Sequence, residues 1–212
     1  MRALIVHCHP REGSFTAAVR DTVAERLGAA GAEIRVSDLY ARGFSPALSG
    51  AEWDAYLDSP DNARAVASDV ADLRWCDTLI FVYPTWWYGP PALLKGWLDR
   101  VLLPEVAFLM PDAEHGDIRP ALTHIGRLGV FTTCGASWAL TRWVGAPGRR
   151  TLLRGVGLLC GRPLRTAFAA HYSMDSSTPE SRARHLARVA RKVDRLAAGT
   201  RGARGPRAEV PA

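Results

Sequence analysis

Short apolar runs alternate with longer amphipathic segments along most of this chain. The runs at residues 2–7, 33–38, 78–83, 124–132 and 164–172 have the length and composition of buried strands. Helices are expected over residues 15–30, 63–74, 90–103 and 178–198, with a broken helical segment at 138–160. Strands that alternate with helices form right-handed crossovers and a parallel sheet covered on both faces. The sequence therefore predicts one α/β domain over residues 1–198, with a doubly wound five-stranded parallel sheet of order 2-1-3-4-5.

The composition indicates in which cellular compartment such a domain would be found. No apolar run approaches the roughly 20 residues of a membrane-spanning helix, which predicts no integral membrane association. Cys8, Cys76, Cys134 and Cys160 are widely spaced and form no zinc pattern. Scattered thiols in an apolar background predict a reducing, cytoplasmic setting, and we expect no metal site.

The net charge of +6 is concentrated near the C-terminus. Residues 179–212 contain nine Lys or Arg and three acidic residues, so they account for the whole excess. A basic segment can indicate nucleic acid or an anionic membrane, but no base-reading module accompanies this one. Because apolar residues interrupt the arginines at helical spacing, a solvated helix face and no nucleic-acid partner are favoured. Residues 199–212, rich in Gly, Arg and Pro, are expected to form a basic, disordered tail.

The most informative motif follows the third apolar run. That run ends at Pro84, which cannot donate to a sheet ladder, and Trp86, Trp87 and Tyr88 follow where a polar connection would be expected. Gly89 then turns the chain towards the next helix. Rings on this loop lie where open α/β sheets bind ligands, which favours a flat conjugated ligand. The alternative is an aromatic cluster that belongs to the core.

Two further loops are expected to converge on the same point of the sheet. In the loop at 8–16, Ser14 and Thr16 offer hydroxyl groups at a helix start, where a phosphate binds favourably. Ser14 could instead only cap the helix. In the loop at 132–138, Thr132 and Thr133 suit a backbone that touches a ligand, although a plain turn capped by Ser137 is equally compatible.

Several stretches combine into a recognisable pattern. They are Tyr-Pro-Thr-Trp-Trp-Tyr-Gly at 83–89, Pro-Ala-Leu-Leu-Lys-Gly-Trp at 91–97, Asp-Arg-Val at 99–101, His9 with Ser14 and Phe15, Ser-Asp-Leu-Tyr at 37–40, and Thr132 with Thr133. With these residues the chain resembles, over residues 1–196, the flavodoxin-like NAD(P)H:quinone oxidoreductases of the DT-diaphorase and modulator-of-drug-activity type. The resemblance implies a flavodoxin-like sheet and a dimeric cytosolic flavoprotein. Such a protein transfers hydride from NAD(P)H to a quinone or similar acceptor by a ping-pong mechanism.

The resemblance also implies roles for individual residues. The cofactor, FAD with FMN as an alternative, would contact three sets of residues: His9, Ser14, Phe15 and Thr16 at its phosphates; Pro84, Thr85, Trp86, Trp87, Tyr88 and Gly89 along its isoalloxazine ring; and Thr132, Thr133, Cys134 and Gly135 at the opposite side or edge. Phe108 would border the pocket shared by quinone and nicotinamide, and Trp138 and His115 are further candidates for that pocket.

The chain departs from the family at one place. Well-known members carry a Tyr and a His shortly after the Thr-Thr loop that are thought to assist charge relay, whereas this chain has Trp138 near the Tyr position and neither residue type between Gly135 and Ala170. His171 and Tyr172 are candidate substitutes, although a lone histidine is an ambiguous signal. Two other functions stay open: a flavodoxin-type electron carrier, and an ancillary regulatory subunit of a transporter.

Overall fold

The computed structural model describes residues 1–198, and a five-stranded parallel sheet forms its centre. The strands in chain order are β1 Arg2–His7, β2 Glu33–Asp38, β3 Thr78–Thr85, β4 Phe108–Leu109, β5 Arg119–Pro120, β6 Arg127–Cys134 and β7 Arg165–His171. The sheet has the order β2-β1-β3-β6-β7, while β4 and β5 pair separately as a small antiparallel ribbon. Since β6 and β7 are its fourth and fifth strands along the chain, the predicted order 2-1-3-4-5 is confirmed.

Helices cover both faces of the sheet. They are α1 Phe15–Ala29, α2 Gly50–Asp54, α3 Ala67–Trp75, α4 Ala92–Val101, α5 Trp138–Trp143, α6 Pro147–Arg150, α7 Gly157–Leu159 and α8 Pro179–Ala197, with a π-helical stretch, Thr151–Val156, between α6 and α7. One face packs on α1 and α8, through residues such as Val23 and Val193. The other face packs on α3, α4 and the helical stretch after α6, and the buried indole of Trp97 contacts Phe81 there edge-on.

Some predicted boundaries of helices and strands are wrong, because contacts with distant parts of the chain determine them. The helix expected from residue 63 begins as a 3-10 helix, Asp61–Val66, and becomes α-helical only at Ala67. Asn62 is of a type that often caps a helix, but it donates its amide to the backbone carbonyls of Tyr56 and Pro104. The fourth strand of the sheet begins at Arg127 and not at residue 124, because the His124 ring lies 3.1 Å from the Leu73 carbonyl, outside the sheet.

The loop-rich region after β2 contains the short helix α2. Ser49 caps it and Glu52 closes a capping box, a signature that was readable in the sequence. The basic tail expected at 199–212 lies outside the described residues. Within residues 1–198, no helix is both long enough and apolar enough to cross a membrane.

Candidate active site

The aromatic motif forms a tight two-residue turn at the carboxyl end of β3. Trp86 and Gly89 exchange both backbone hydrogen bonds, at 3.1 and 3.0 Å. The two central residues, Trp87 and Tyr88, have φ angles of 48° and 63°, a left-handed conformation that only glycine adopts without cost. Backbone strain of this kind concentrates at functional sites, where the surrounding structure holds it in place.

Strand β3 continues through Pro84 to Thr85, so the prediction that it stops before Pro84 is wrong. The last residue of β1 in register with β3 is His7, opposite Val82. Beyond that point β3 pairs only with β6, where Pro84 stands opposite Thr133. The missing N–H of Pro84 therefore costs the sheet little, and the extension carries Thr85 to the rim of the site.

Hydroxyl pairs join the three predicted loops. Thr85 and Thr132 lie 2.8 Å apart between their Oγ1 atoms, which connects the aromatic turn to the loop after β6. The Oγ1 atoms of Thr16 and Thr133 lie 3.2 Å apart and are buried, which connects the start of α1 to the same loop. The predicted convergence of these loops at the carboxyl ends of β1, β3 and β6 is thus present in the structure.

A cavity of about 520 Å³ opens between the aromatic turn and the loop after β6. Its lining consists of Pro84, Thr85, Trp86, Trp87, Tyr88, Thr133, Cys134, Gly135, Ala136, Met174 and Asp175. The side chain of Trp87 is 95% exposed and that of Trp86 is 44% exposed. The interpretation of these rings as core residues is therefore wrong, because rings of the core would be buried.

Several predicted cofactor residues stand outside this lining. His9 bonds its own loop, its Nδ1 accepting from the backbone N–H of Arg11 at 3.0 Å. The Ser14 hydroxyl accepts a hydrogen bond from the Ala17 N–H at 3.0 Å and so caps α1. Helix capping was the alternative to phosphate binding for this residue. Gly89 stands beside Gly148, at which a Cβ atom would come within 3.4 Å of the Gly89 Cα. Phe15, Thr16 and Thr132 are also absent from the lining.

The predicted substrate residues do not line the cavity either. Phe108 is half-buried in the β4–β5 ribbon. His115 bonds Asp112 in the surface loop before β5 and is half-exposed. Trp138 is the first residue of α5, and its ring is 59% exposed and contacted by the Arg142 guanidinium. Their roles stay predictions.

His171 and Tyr172 lie beyond the main cavity at the end of β7. The His171 ring packs edge-on against Phe15 and His185, with centroid distances of 5.5 and 5.3 Å. Tyr172 lines a narrow chamber behind Tyr88, and burial raises its pKa. Neither side chain is placed to touch a ligand in the main cavity, so a catalytic role would have to act through other groups.

The histidine cluster predicts a loss of stability in acid. Burial, together with the nearby charges of His171 and Arg188, lowers the pKa of His185 from 6.5 to about 4. Below pH 6.5 His185 takes up a proton in the unfolded chain, whereas in the folded chain it stays neutral until about pH 4. Its contribution to the free energy of unfolding is therefore complete above pH 6.5 and is lost as the pH falls towards 4. This difference is worth about 3 kcal/mol. We expect His185→Leu to flatten the fall in unfolding free energy between pH 7 and 4.5, measured by urea denaturation.

A His185→Leu variant that loses as much stability in acid as the unmodified protein would contradict the assignment.

Met174 and Asp175 are cavity residues that sequence reasoning missed. They follow β7, and the Asp175 carboxylate approaches the backbone at Gly135, where a Cβ atom would lie 3.1 Å from it. The sequence could have indicated these two residues, because every loop at the carboxyl edge of a parallel sheet is a candidate for the site. The sequence prediction placed only the loops after β1, β3 and β6 at the site, and not the loop after β7.

A second, cationic cavity of about 240 Å³ lies between the end of β7 and α8. Its lining consists of Ala170, His171, Tyr172, Ser181, Arg184, His185 and Arg188, without an acidic residue. Phe15, at the start of α1, contacts both histidines of this lining. The cavity therefore adjoins the helix start at which a phosphate was predicted.

Comparison with known proteins agrees with this architecture. Residues 1–193 match a protein family whose members have a flavodoxin-like fold. This chain belongs to that family. An NAD(P)H:quinone oxidoreductase from Methanothermobacter marburgensis superposes with a TM-score of 0.77 at 26% identity, covering 92% of this chain and 96% of that one.

Two curated relatives match over shorter stretches. Ribosyldihydronicotinamide dehydrogenase [quinone] of Homo sapiens is 32% identical over 126 residues, which are 52% of this chain and 54% of the relative. NAD(P)H dehydrogenase [quinone] 1 of Rattus norvegicus is 35% identical over 127 residues, 50% of this chain and 45% of the relative. The chain thus spans about half the length of the curated relatives it matches.

The aromatic rings and hydrogen-bonding groups at the main cavity of this flavodoxin-like protein suit a flavin. Trp86 and Trp87 offer flat rings at the cavity mouth, where an isoalloxazine would stack. The hydrogen bonds of the turn use only Trp86 and Gly89, so the N–H groups of Trp87 and Tyr88 can donate to the pyrimidine edge of such a ring. Thr85 adds a hydroxyl at the same rim.

Proposed function

We propose that this protein is a flavin-dependent NAD(P)H oxidoreductase that passes hydride to a quinone or similar acceptor by a ping-pong mechanism. The observation that carries this proposal is the cavity at the switch point of the sheet, with the exposed rings of Trp86 and Trp87 at its mouth. The similarity to the quinone oxidoreductase of Methanothermobacter marburgensis, over nearly the whole chain, supports it.

Two features of the chain would serve the reaction. The indoles of Trp86 and Trp87 hold a flat cofactor and leave room above it for a second ring. The N–H groups of Trp87 and Tyr88 stabilise negative charge at its edge without reorganisation, because the strained turn fixes them beforehand. When bound, the flavin would supply the centre that takes hydride from the nicotinamide and returns it to the acceptor.

We propose FAD as the cofactor, with FMN as the alternative. FMN would need only the main cavity and the start of α1, where the N–H groups of the first helical turn favour a phosphate. FAD carries a second phosphate and an adenosine, and the cationic cavity with Arg184 and Arg188 offers room and charge for them. Phe15 adjoins both places, since it begins α1 and contacts His171 and His185.

We also propose a cytoplasmic homodimer. Trp87 is a large apolar side chain with 95% of its surface exposed at the cavity mouth, and a second subunit would cover it and narrow the pocket. Sedimentation velocity would test the assembly: a monomer at micromolar concentration would contradict this part of the proposal.

Steady-state kinetics test the proposed reaction. Protein supplied with FAD should oxidise NADPH or NADH only when a quinone is present, and double-reciprocal plots at several quinone concentrations should be parallel. FMN should support the reaction more weakly, because it leaves Arg184 and Arg188 without a phosphate. Absence of quinone-dependent turnover in flavin-loaded protein would refute the reaction, and equal affinity for FMN and FAD would refute the cofactor assignment.

A further inference from the structure

The narrow chamber behind Tyr88 shares part of its wall with the main cavity. Thr85, Tyr88 and Cys134 line both spaces. The chamber is also lined by Tyr83 and Thr132, which are buried and stand opposite each other in the register of β3 and β6. Buried hydroxyl groups therefore lie directly behind a wall that a ligand in the main cavity would touch.

Two hydrogen bonds at the Thr132 hydroxyl determine where the proton of Thr85 lies. The Thr132 Oγ1 atom is 3.2 Å from the Thr133 carbonyl oxygen, which can only accept. Because a hydroxyl has a single proton, Thr132 donates to that carbonyl and accepts from the Thr85 hydroxyl, whose Oγ1 atom is 2.8 Å away. These proton positions are assigned from the hydrogen-bond network.

The Tyr83 phenol supports the same arrangement from inside the chamber. Burial raises its pKa, against a smaller lowering by the Thr132 hydroxyl. The phenol therefore keeps its proton and can offer it to Thr132, whose oxygen has two lone pairs. A hydroxyl that gives its own proton to a carbonyl and receives protons from its neighbours is held in one orientation.

The Thr85 hydroxyl is consequently an acceptor towards the main cavity. Its proton points at Thr132, and its lone pairs remain for a ligand. The N–H groups of Trp87 and Tyr88, on the same segment of chain, are donors. This rim of the cavity therefore combines two donors with an acceptor that carries no charge.

We propose, building on the proposed function, that Thr85 accepts the imide N–H of the bound flavin and that Thr132 holds Thr85 in the accepting orientation. The pyrimidine edge of an isoalloxazine presents a carbonyl, an N–H and a second carbonyl, so it requires two donors and one acceptor. A neutral acceptor suits this edge, because the edge becomes negative when the ring is reduced. Thr85 contacts the cofactor, and Thr132 is a positioning residue that acts through Thr85.

The Asp175 carboxylate is the competing acceptor at the main cavity. It approaches the backbone at Gly135, after β6, whereas the two N–H donors follow β3. Its negative charge would also repel the charge of a reduced ring, which the neutral oxygen of Thr85 does not. The position and the charge of the two groups therefore favour Thr85.

Titration of the flavin-free, full-length protein with FAD and with 3-methyl-FAD tests the hydrogen bond. The methyl group replaces the imide proton, so the analogue should bind the unmodified protein about a hundredfold more weakly than FAD. In Thr85→Val this penalty should fall by about tenfold, because valine keeps the shape of threonine and so the steric cost of the methyl group, but offers no acceptor. Thr85→Ser should keep most of the penalty.

A double-mutant cycle tests whether Thr132 acts through Thr85. Thr132→Val alone should weaken FAD binding about threefold, since it releases the Thr85 proton, and should have no effect in the Thr85→Val background. Thr132→Ser should retain the affinity of the unmodified protein. Thr141→Val is the matched control, because Thr141 lines the chamber but donates to the Ser137 carbonyl at 2.9 Å. It should leave the affinities for FAD and 3-methyl-FAD unchanged.

Three outcomes would overturn the assignment: an unchanged methyl penalty in Thr85→Val, an equal effect of Thr132→Val in both backgrounds, or a penalty that falls in Asp175→Asn and not in Thr85→Val. The last would make the carboxylate the acceptor. Protein that binds neither flavin would refute the proposed function as well. FAD binding with an unchanged penalty would refute only the role of Thr85, since neither titration requires turnover.

Discussion

Replacing both Trp86 and Trp87 by alanine should weaken flavin binding by about a hundredfold, since each stacked indole contributes about tenfold. The melting temperature of the flavin-free subunit should change by less than about 2 °C, because within one subunit Trp87 is 95% exposed and Trp86 is 44% exposed. Fluorescence titration with FAD measures the first quantity, and calorimetry of the flavin-free protein measures the second.

Trp143→Ala provides the matched control for that experiment. Its ring is also highly exposed but lies on α5, outside the lining of the main cavity, so FAD affinity should be unchanged. A double variant that keeps its FAD affinity would show that the two rings do not form the flavin wall. A large loss of melting temperature in flavin-free protein would instead favour a structural role for them.

Gly96→Ala should destabilise the fold by about 3 kcal/mol, which lowers the melting temperature by about 9 °C. Gly96 lies within α4, the helix that follows the aromatic turn, and a Cβ atom there would overlap the backbone carbonyl oxygen and Cα of Pro46. Backbone atoms cannot rotate aside as a side chain can, so the helix or the loop at Pro46 must shift. Thermal unfolding without flavin measures the effect.

Gly28→Ala is the control, because Gly28 also lies within a helix but has space around it. A Cβ atom there would meet only the Cδ1 atom of Ile34, at 3.9 Å. The change should stabilise the protein by up to about 1 kcal/mol, since alanine restricts the unfolded chain more than glycine does. Equal melting temperatures for Gly96→Ala and Gly28→Ala would contradict the close approach of α4 to Pro46.

The sheet order was predictable because its central strands are buried on both faces and are strongly apolar. Residues 78–83 illustrate this, since each is buried in β3. The aromatic turn was predictable for a similar reason: three large rings after such a strand contradict the usual polarity of a loop. Local patterns as strong as these determine the structure of their own segment largely independently of the rest of the chain.

Other features depend on tertiary contacts that local patterns do not encode. Asn62 resembles a helix cap, yet its amide anchors two distant backbone carbonyls. Pro84 resembles the end of a strand, yet β3 continues because β1 no longer pairs alongside it. Gly89 packs beside Gly148, a neighbour that lies far along the chain, and the left-handed conformations of the turn fall on Trp87 and Tyr88.

We propose that the cavity behind Trp86 and Trp87 holds a flavin that mediates hydride transfer. The decisive experiment is anaerobic addition of NADPH to FAD-loaded protein, followed by a simple quinone. We predict that the flavin absorption band bleaches rapidly with NADPH and recovers with the quinone. A band that stays oxidised, in protein shown to hold flavin, would contradict the proposed reaction.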